Sequence, residues 1–402
     1  MLGVWLATIG IARADDAQAL QLAIRQLVAA QHESGLFRFG FDFANGTAHE
    51  TGTTKNEKTT TIVRQAVGAY GLAKYYLHTG DAGVRPTIER AIEALAARSI
   101  PVSPGGVPAW MQRAGLFDIP WGRRTLTWLL SGLGLLHGTE GAGRLVAADG
   151  GLDTAWVGGT AMALLAELHY ARASGDERFA SWRRAWLDGI MALYVEGAGF
   201  REFAGSIDET PLSNAEAWLA LSFLPPAEAA SLGDRLARLD RYMVGTYTAA
   251  PTLHMVHWGT MAAAQRGDAI DARAARDLVE SVADHVLRTI PAERVLDENT
   301  CVLVEGFAAM DQVFRRAPPH DGELAARIEA RIALEMTKNL ALQIVPGQAE
   351  VERSDGRRLP IPDDARAAGA FIAMRSRPVI RVDYTAHCIS ALIELQRRAA
   401  RR

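Results

Sequence analysis

The chain has 402 residues, of which 49% are hydrophobic and 22% charged, and its formal net charge at pH 7 is −3. These fractions are ordinary for a folded globular protein and exclude a disordered chain. Basic residues are scattered, with no basic stripe and interleaved aromatic residues, so nucleic acid is not an expected partner. No low-complexity segment divides the sequence, which favours one large domain.

The N-terminus resembles an export signal. Residues 2–11 form an apolar stretch, and Ala12-Arg13-Ala14 fits the small-x-small cleavage pattern, although a positively charged start is missing. We predict a signal peptide over residues 1–14 and a single domain over 15–402, in the periplasm or secreted. The alternative is a cytoplasmic protein with an apolar extension of its first helix. The stretch is too short for a membrane span.

Three short turns of similar sequence recur along the chain, reading Thr-Gly-Asp, Ser-Gly-Asp and Arg-Gly-Asp at residues 79–81, 174–176 and 266–268. Glycine just past a helix end accepts a left-handed conformation, and the adjacent aspartate can cap the following helix. Each turn therefore predicts a helical hairpin.

The helix pattern predicts an all-α (α/α)6 toroid. We predict a first helix over 17–31 and a last helix over 383–397, which pack together and close a ring of twelve helices. The helix before each short turn is rich in Gly and Ala and suits a crowded inner ring, whereas the helix after it is amphipathic and suits an outer ring. The five central pairs are 61–78 with 84–98, 155–173 with 178–195, 213–223 with 227–245, 255–265 with 270–288, and 300–315 with 322–343.

The connections from each outer helix to the next inner helix are long. Several contain a Gly and Phe cluster of extended character, at residues 35–39, 197–203 and 369–372. Long loops in compact domains are often functional. We therefore predict a functional rim of small β-hairpins around the N-termini of the inner helices, the alternative being loops that only cover the mouth of the ring. The connections are 32–60, 99–154, 196–212, 246–254, 289–299 and 344–382.

Residues capable of chemistry cluster near the predicted starts of the inner helices. An acidic residue at a helix start is usually a cap, which accounts for Asp208. Glu305 differs, because it lies in the second turn of an inner helix among apolar neighbours. Such a carboxyl group suits either general acid catalysis or a buried structural hydrogen bond. The other candidates are Asn56, Arg64, Gln65, Asp153, Trp156, Asn214, Glu216, His254, His257, Trp258, Asp297, Glu298 and Asn299.

The last predicted helix carries the densest group, with Asp383, Tyr384 and His387 directly after Arg381. Asp383 and His387 are four residues apart and share a face, so Asp383 could orient His387, or both could contact one ligand. The alternative is a capping aspartate and a core histidine. Arg64 suits a carboxylate of the protein or of an acidic sugar.

Other chemistries are not favoured. His254 and His257 have a spacing that can bind metal, but the third ligand and the general-base Glu of a zinc motif are missing. No phosphate loop, dinucleotide fingerprint or nucleophile elbow occurs, so we expect no cofactor and no metal. Cys301 and Cys388 are predicted on neighbouring inner helices at different heights, so we expect no disulfide between them.

The twelve-helix pattern with its Gly-Asp turns, the Gly-Phe rim segments and the helix start at 381–387 resemble the (α/α)6 toroids of carbohydrate-active enzymes. These include six-hairpin glycosidases, polysaccharide lyases and the helical domain of glucuronyl C5-epimerases. The closing helix is similar to that of the C5-epimerases alone, whose Tyr and His near the helix start correspond to Tyr384 and His387. The resemblance implies a glycan substrate in a cleft at the inner-helix N-termini. It also implies stacking of sugar faces on Phe39, Trp156, Trp258 and Tyr384, although Trp and Tyr at such positions more often belong to the core.

Three functions follow from this resemblance. The first, which the sequence favours, is a glycoside hydrolase whose paired carboxylates are Glu305 and Asp383. Glu216 and Asp208 are the substitutes for either member of that pair.

The second function is a uronate-directed lyase or C5-epimerase, in which Arg64 neutralises the sugar carboxylate while Tyr384 or His387 moves the proton. The third is a non-catalytic glycan-binding or polysaccharide-assembly protein. The sequence predicts no particular oligomeric state.

Overall fold

The structure is a computed structural model that describes residues 2–49, 61–102, 143–148, 151, 154–204, 206 and 208–401. This part of the chain contains thirteen helices and seven short strands. The helices are α1 Leu2–Ala29, α2 Thr61–Thr79, α3 Arg85–Ala97, α4 Val157–Ser174, α5 Ala180–Ala192, α6 Pro211–Ser222, α7 Pro226–Ser231, α8 Asp234–Ala249, α9 Trp258–Arg266, α10 Ala272–Thr289, α11 Cys301–Arg316, α12 Gly322–Leu340 and α13 Val382–Arg401. The strands are β1 Gly40–Asp42, β2 Thr47–His49, β3 Ser99–Val102, β4 Gly143–Val146, β5 Glu350–Glu352, β6 Arg358–Pro360 and β7 Val379–Arg381.

Six helices form a closed inner ring. In order around the ring, α2, α4, α6, α9, α11 and α13 each pack on the next, and α13 packs on α2. Their outer partners are α3 on α2, α5 on α4, α8 on α6, α10 on α9, α12 on α11 and α1 on α13. The (α/α)6 toroid predicted from the sequence is therefore confirmed, including its closure by the first and last helices.

The two rings differ in burial as their sequences predict. The inner helix α4 is buried at every position from Val157 to Ala171. The outer helix α10 instead buries one stripe, which includes Leu278, Val282 and Val286. Glycine allows inner helices to approach closely, since a Cβ on Gly68 would lie 2.6 Å from a side-chain carbon of Val382 on α13.

The first two hairpin turns have the predicted geometry. Gly80 and Gly175 adopt left-handed conformations with φ of 73° and 69°. The carboxylate of Asp81 accepts the backbone N–H of Gly83, and that of Asp176 accepts the backbone N–H two residues later. These bonds satisfy amide groups at the start of the returning segment.

Two details differ from the prediction. Asp268 does not cap α10; Asp271 does, by accepting backbone N–H groups of the first helical turn. The helix predicted over 227–245 is divided into α7 and α8, because Gly233 between them has a φ of 56° and leaves the helical conformation.

The three Gly-Phe segments form the predicted rim. Each makes an antiparallel bridge back to a residue that lies just beyond the end of the preceding outer helix. The backbone N–H of each phenylalanine donates to a polar side chain of an inner helix, which anchors the rim to the ring. The pairs are Phe37 with Gln65, Phe200 with Asn214, and Phe371 with Thr385.

Small antiparallel sheets complete the rim. The strands pair in the orders β2-β1-β7, β3-β4 and β5-β6. Strand β7 ends at Arg381, and α13 begins at the next residue. A small second core, which includes Phe41, Val351 and Ile380, lies beneath the sheets β2-β1-β7 and β5-β6, apart from the main core between the two rings, on which β3 and β4 pack. Among the described residues, no helix has the length and apolar content that a membrane crossing requires.

Cys301 and Cys388 form a disulfide, so our expectation that they stay apart is wrong. Their Cα atoms lie 4.9 Å apart, within the range that a disulfide requires. The expectation assumed that α11 and α13 begin at the same height in the ring. Instead, the first turn of α11 lies beside the second turn of α13, which brings the two sulfurs level.

Candidate active site

A glutamate and a histidine form a hydrogen-bonded pair at the mouth of the ring. Nδ1 of His387 on α13 lies 2.8 Å from Oε2 of Glu305 on α11. Glu305 is completely buried, and its Oε1 has no hydrogen-bond partner among the described residues. A histidine that donates Nδ1–H to a carboxylate keeps the lone pair on Nε2, and that nitrogen can then act as a base.

His257, directly before α9, lies beside this pair. Its ring centroid is 5.5 Å from that of His387, with the two planes at 80°. Burial, followed by the nearby His387 and His254, holds the pKa of His257 well below its usual range. His257 is therefore neutral at pH 7, with a lone pair on one ring nitrogen and, on the other, an N–H that can donate a hydrogen bond.

Trp258 packs against both imidazoles. Its ring centroid lies 4.4 Å from that of His257, 5.2 Å from that of His387 and 6.0 Å from that of Tyr70. Only 2% of Trp258 is exposed. It acts as a wall that fixes the two histidines and excludes water, and it offers little surface on which a sugar could stack.

A second cluster gathers around Asp383. Arg381 donates two hydrogen bonds to its carboxylate, at 3.0 and 2.6 Å, and Nε of Arg64 lies 3.5 Å from the same carboxylate. Both guanidinium groups lie over the buried ring of Phe39, and that of Arg381 also lies 4.2 Å from the Tyr384 centroid. The cluster joins the starts of α2 and α13 with the rim.

Our expectation that Asp383 could orient His387 is wrong. The carboxylate of Asp383 is held by the guanidinium group two residues before it, and Glu305 from the neighbouring helix orients the histidine. The two carboxylates that the sequence paired for hydrolysis are thus engaged separately, Glu305 by a histidine and Asp383 by two arginines.

Glu216 lies on α6 and is 4% exposed. Its carboxyl group packs against the backbone of Gly158 at the start of α4, because a Cβ added to Gly158 would lie 1.8 Å from Oε2 of Glu216. Burial raises the pKa of Glu216 to about 8. This side chain therefore carries a proton at neutral pH.

Two of the remaining candidates, Trp156 and Asp208, lie on the rim. Trp156 stacks on Phe203 with ring centroids 6.0 Å apart. Asp208 is exposed, and its backbone carbonyl accepts the N–H of Glu202 within the same rim segment. Asn56 and Asp153 lie outside the described residues.

A buried ion pair farther along the ring axis was not identified from the sequence. Nζ of Lys74 on α2 lies 2.9 Å from Oε1 of Glu394 on α13 and donates to the Ser390 hydroxyl. Burial opposes ionisation, yet Lys74 and Arg397 bring the pKa of Glu394 down to about 2. The available signal was a lysine within residues 66–77 of α2, a stretch that otherwise contains only small, apolar and tyrosine side chains.

One group with metal-ligating side chains lies on the outer surface of the described structure, away from the mouth. It combines Asp277 and Glu280 of α10 with the exposed His320 that follows α11. His320 Nδ1 lies 2.8 Å from Glu280 Oε2, so a hydrogen bond between these two side chains accounts for the grouping. His254 and His257 do not belong to it.

Comparison with solved structures supports the fold. A sugar epimerase from a ruminal bacterium is similar with a TM-score of 0.58 and 13% identity, over 95% of this chain and 98% of that chain. An inactive variant of the alpha-1,6-mannanase GH76A of Salegentibacter sp. HEL1_6, in complex with alpha-1,6-mannotetrose, gives a TM-score of 0.56 and 11% identity, over 94% and 98%. An unsaturated glucuronyl hydrolase specific for heparin gives 0.56 and 8%, over 96% and 97%.

These neighbours are six-hairpin, glycosidase-like (α/α)6 toroid enzymes, so the resemblance inferred from the sequence is confirmed at the level of the fold. No protein-family model matches the sequence, and no curated protein matches it.

Proposed function

We propose that this chain is a carbohydrate-active enzyme that moves a proton at a sugar carbon next to a carbonyl group, as an epimerase or isomerase does. The observation that carries this proposal is the Glu305–His387 pair with the neutral His257 beside it. Glu305 orients His387 and stabilises the imidazolium that forms when Nε2 takes a proton. His257, which is neutral, is the second group that can take a proton from its own position, and the histidine that has taken the proton returns it as an imidazolium.

The carboxylate arrangement favours proton transfer over hydrolysis. A glycoside hydrolase needs one carboxyl group that donates a proton and a second that attacks or activates water across the sugar. Glu305 is occupied by His387, and Asp383 receives the bidentate Arg381. The similar mannanase variant is inactive after replacement of two consecutive aspartates, whereas consecutive aspartates occur here at 15–16 and 363–364, outside the inner helices.

A second candidate is the glycoside hydrolase that the sequence favoured, with Glu216 as its acid. The supporting observation is that the buried Glu216 has a pKa of about 8 and so holds a proton at neutral pH. A general acid works best with a pKa near the working pH. Glu216→Gln should remove turnover in this case and leave it within about tenfold in the epimerase case.

Product analysis in D2O separates these reactions. The protein is incubated with a panel of reducing sugars, oligosaccharides and uronates, and the products are analysed by NMR. We expect one of these sugars to be converted to an epimer or isomer that has gained deuterium at the reacting carbon. New reducing ends would indicate hydrolysis, unsaturated uronates would indicate elimination, and binding without turnover would indicate a glycan-binding protein.

Asp383→Asn keeps the shape of the Asp383 side chain. This variant should change the rate of an epimerase less than tenfold but should abolish the activity of a hydrolase that uses Asp383.

We also propose that the protein is exported. The Cys301–Cys388 disulfide supports this, because disulfides persist in oxidising compartments. N-terminal sequencing of protein recovered from a periplasmic fraction should give Asp15 as the first residue. Recovery of the chain only from cytoplasm, with residues 1–14 retained, would contradict export.

A further inference from the structure

The Cys301–Cys388 disulfide joins the same two helices that carry the proposed Glu305–His387 pair. Cys301 precedes Glu305 by four residues on α11, and Cys388 directly follows His387 on α13. Residues four apart share a helix face and are separated by about 6 Å along the axis. The crosslink and the hydrogen bond therefore span one helix–helix contact at neighbouring levels.

Other contacts of the inner ring are fixed by glycine. Gly159 of α4 packs on α2, Gly68 of α2 packs on Val382 of α13, and Gly306 of α11 packs on the backbone at Val256 before α9. A larger side chain at these glycines would separate the helices, so the distances there are set closely. Within α11 and α13, both described along the ranges given above, no glycine faces the other helix.

The contact between α11 and α13 is held differently in its two halves. Near the mouth, it contains the disulfide, the Glu305–His387 bond and the Asn299 side-chain amide, whose nitrogen lies 3.2 Å from the Cys388 sulfur. Farther from the mouth, longer polar contacts join the helices. They pair Gln312 with Glu394, Asp311 with Arg398, and Arg315 with the carbonyl of Arg401.

We infer that Cys301 and Cys388 are positioning residues, whose disulfide holds Glu305 and His387 at hydrogen-bonding distance. A hydrogen bond of 2.8 Å requires the two helices to keep their relative height within a few tenths of an ångström. Displacement of a catalytic group by about 1 Å can lower a rate about a hundredfold. The predicted effect on turnover rests on the proposed function, whereas the effect on the hydrogen bond does not.

The test removes the crosslink and measures both effects. Cys301→Ala/Cys388→Ala leaves small apolar side chains at two completely buried positions. At a temperature well below the melting point of the double alanine variant, we expect its kcat to be about ten- to a hundredfold lower than that of the wild type, with KM nearly unchanged. We also expect the 15N-detected ring signals of His387, assigned with His387→Asn, to lose the signature of an Nδ1–H bound to a carboxylate.

The matched control is Val313→Ala. Val313 is completely buried on α11, in the half of the helix away from the mouth, so this variant loses stability but keeps both cysteines. It should keep the wild-type kcat and the His387 signals. Wild-type kcat and signals in the double alanine variant, or equal losses in Val313→Ala, would overturn the inference.

Chemical reduction provides the same test on the native sequence if the double variant does not fold. A dithiol reductant converts the S–S bond to two thiols and is itself oxidised to a cyclic disulfide, and mass spectrometry confirms the gain of two hydrogens. A His387 signal that changes on reduction supports the inference, and one that does not change refutes it. If the signal changes while the oxidised enzyme turns over no sugar, the proposed function fails and the positioning role remains.

Discussion

His387→Asn and Glu305→Gln are each expected to lower kcat/KM for the sugar substrate by about two to four orders of magnitude. His387 is the proposed base, and Glu305 both orients it and stabilises its charged form through the bond at 2.8 Å. Removing either residue disables the same unit, so the double variant should be little worse than the poorer single variant. Steady-state kinetics and a double-mutant cycle measure this.

Stability measurements separate a catalytic from a structural role. Glu305→Gln keeps the shape of the side chain and most of its hydrogen bonding, so its melting temperature should stay near that of the wild type. His320→Asn, on the outer surface, should keep full activity and serves as the control for histidine replacement. Full activity of Glu305→Gln, or its failure to fold, would assign Glu305 to the core instead.

The ring could be predicted because its information is local. Small residues before each Gly-Asp turn and an amphipathic stripe after it identify an inner and an outer helix without any long-range contact. The closed order of six inner helices follows from counting these pairs. The rim segments could also be located, since Gly and Phe clusters recur at the ends of the outer helices.

The site could be predicted only in part, because helical periodicity gives no relative height for two helices. The offset between α11 and α13 decides which residues meet, and it places Cys301 beside Cys388 and Glu305 beside His387 at once. The sequence showed each of these residues near a helix start. Assuming level helix starts, it separated the cysteines and paired His387 with Asp383 on its own helix.

The burial of individual polar side chains was the other property that the sequence did not reveal. The sequence placed His257 among the candidates near the helix starts and suggested metal binding as its specific role, since its spacing from His254 is visible in the sequence. Its enclosure by Trp258 and His387 is not visible there. Lys74 was overlooked because its partner Glu394 lies on the last helix, more than three hundred positions away. The Lys74 assignment depends on closure of the ring, which brings the second and last helices together.

The buried Lys74–Glu394 pair is expected to show an asymmetric response to mutation. Glu394→Gln leaves the ammonium of Lys74, which is 1% exposed, with only neutral partners among its described contacts, and should cost about 3–5 kcal/mol of unfolding free energy. Lys74→Met should cost less, because Arg397 remains 3.0 Å from the Glu394 carboxylate. Denaturant unfolding measures both.

Two comparisons and a pH series complete this test. Replacing both residues by methionine should recover most of the loss, since an apolar pair leaves no buried charge. Asp188→Asn breaks the exposed Arg184–Asp188 pair and should cost under about 1 kcal/mol.

The pKa of Glu394 is lowered to about 2. The stability that its ionised form contributes is therefore present above its unfolded pKa near 4.5 and is lost as the pH falls toward 2. Glu394→Gln should lack this part of the acid dependence, and an equal loss of stability between pH 4.5 and 2 in both proteins would show that the pair is not ionised in the folded ring.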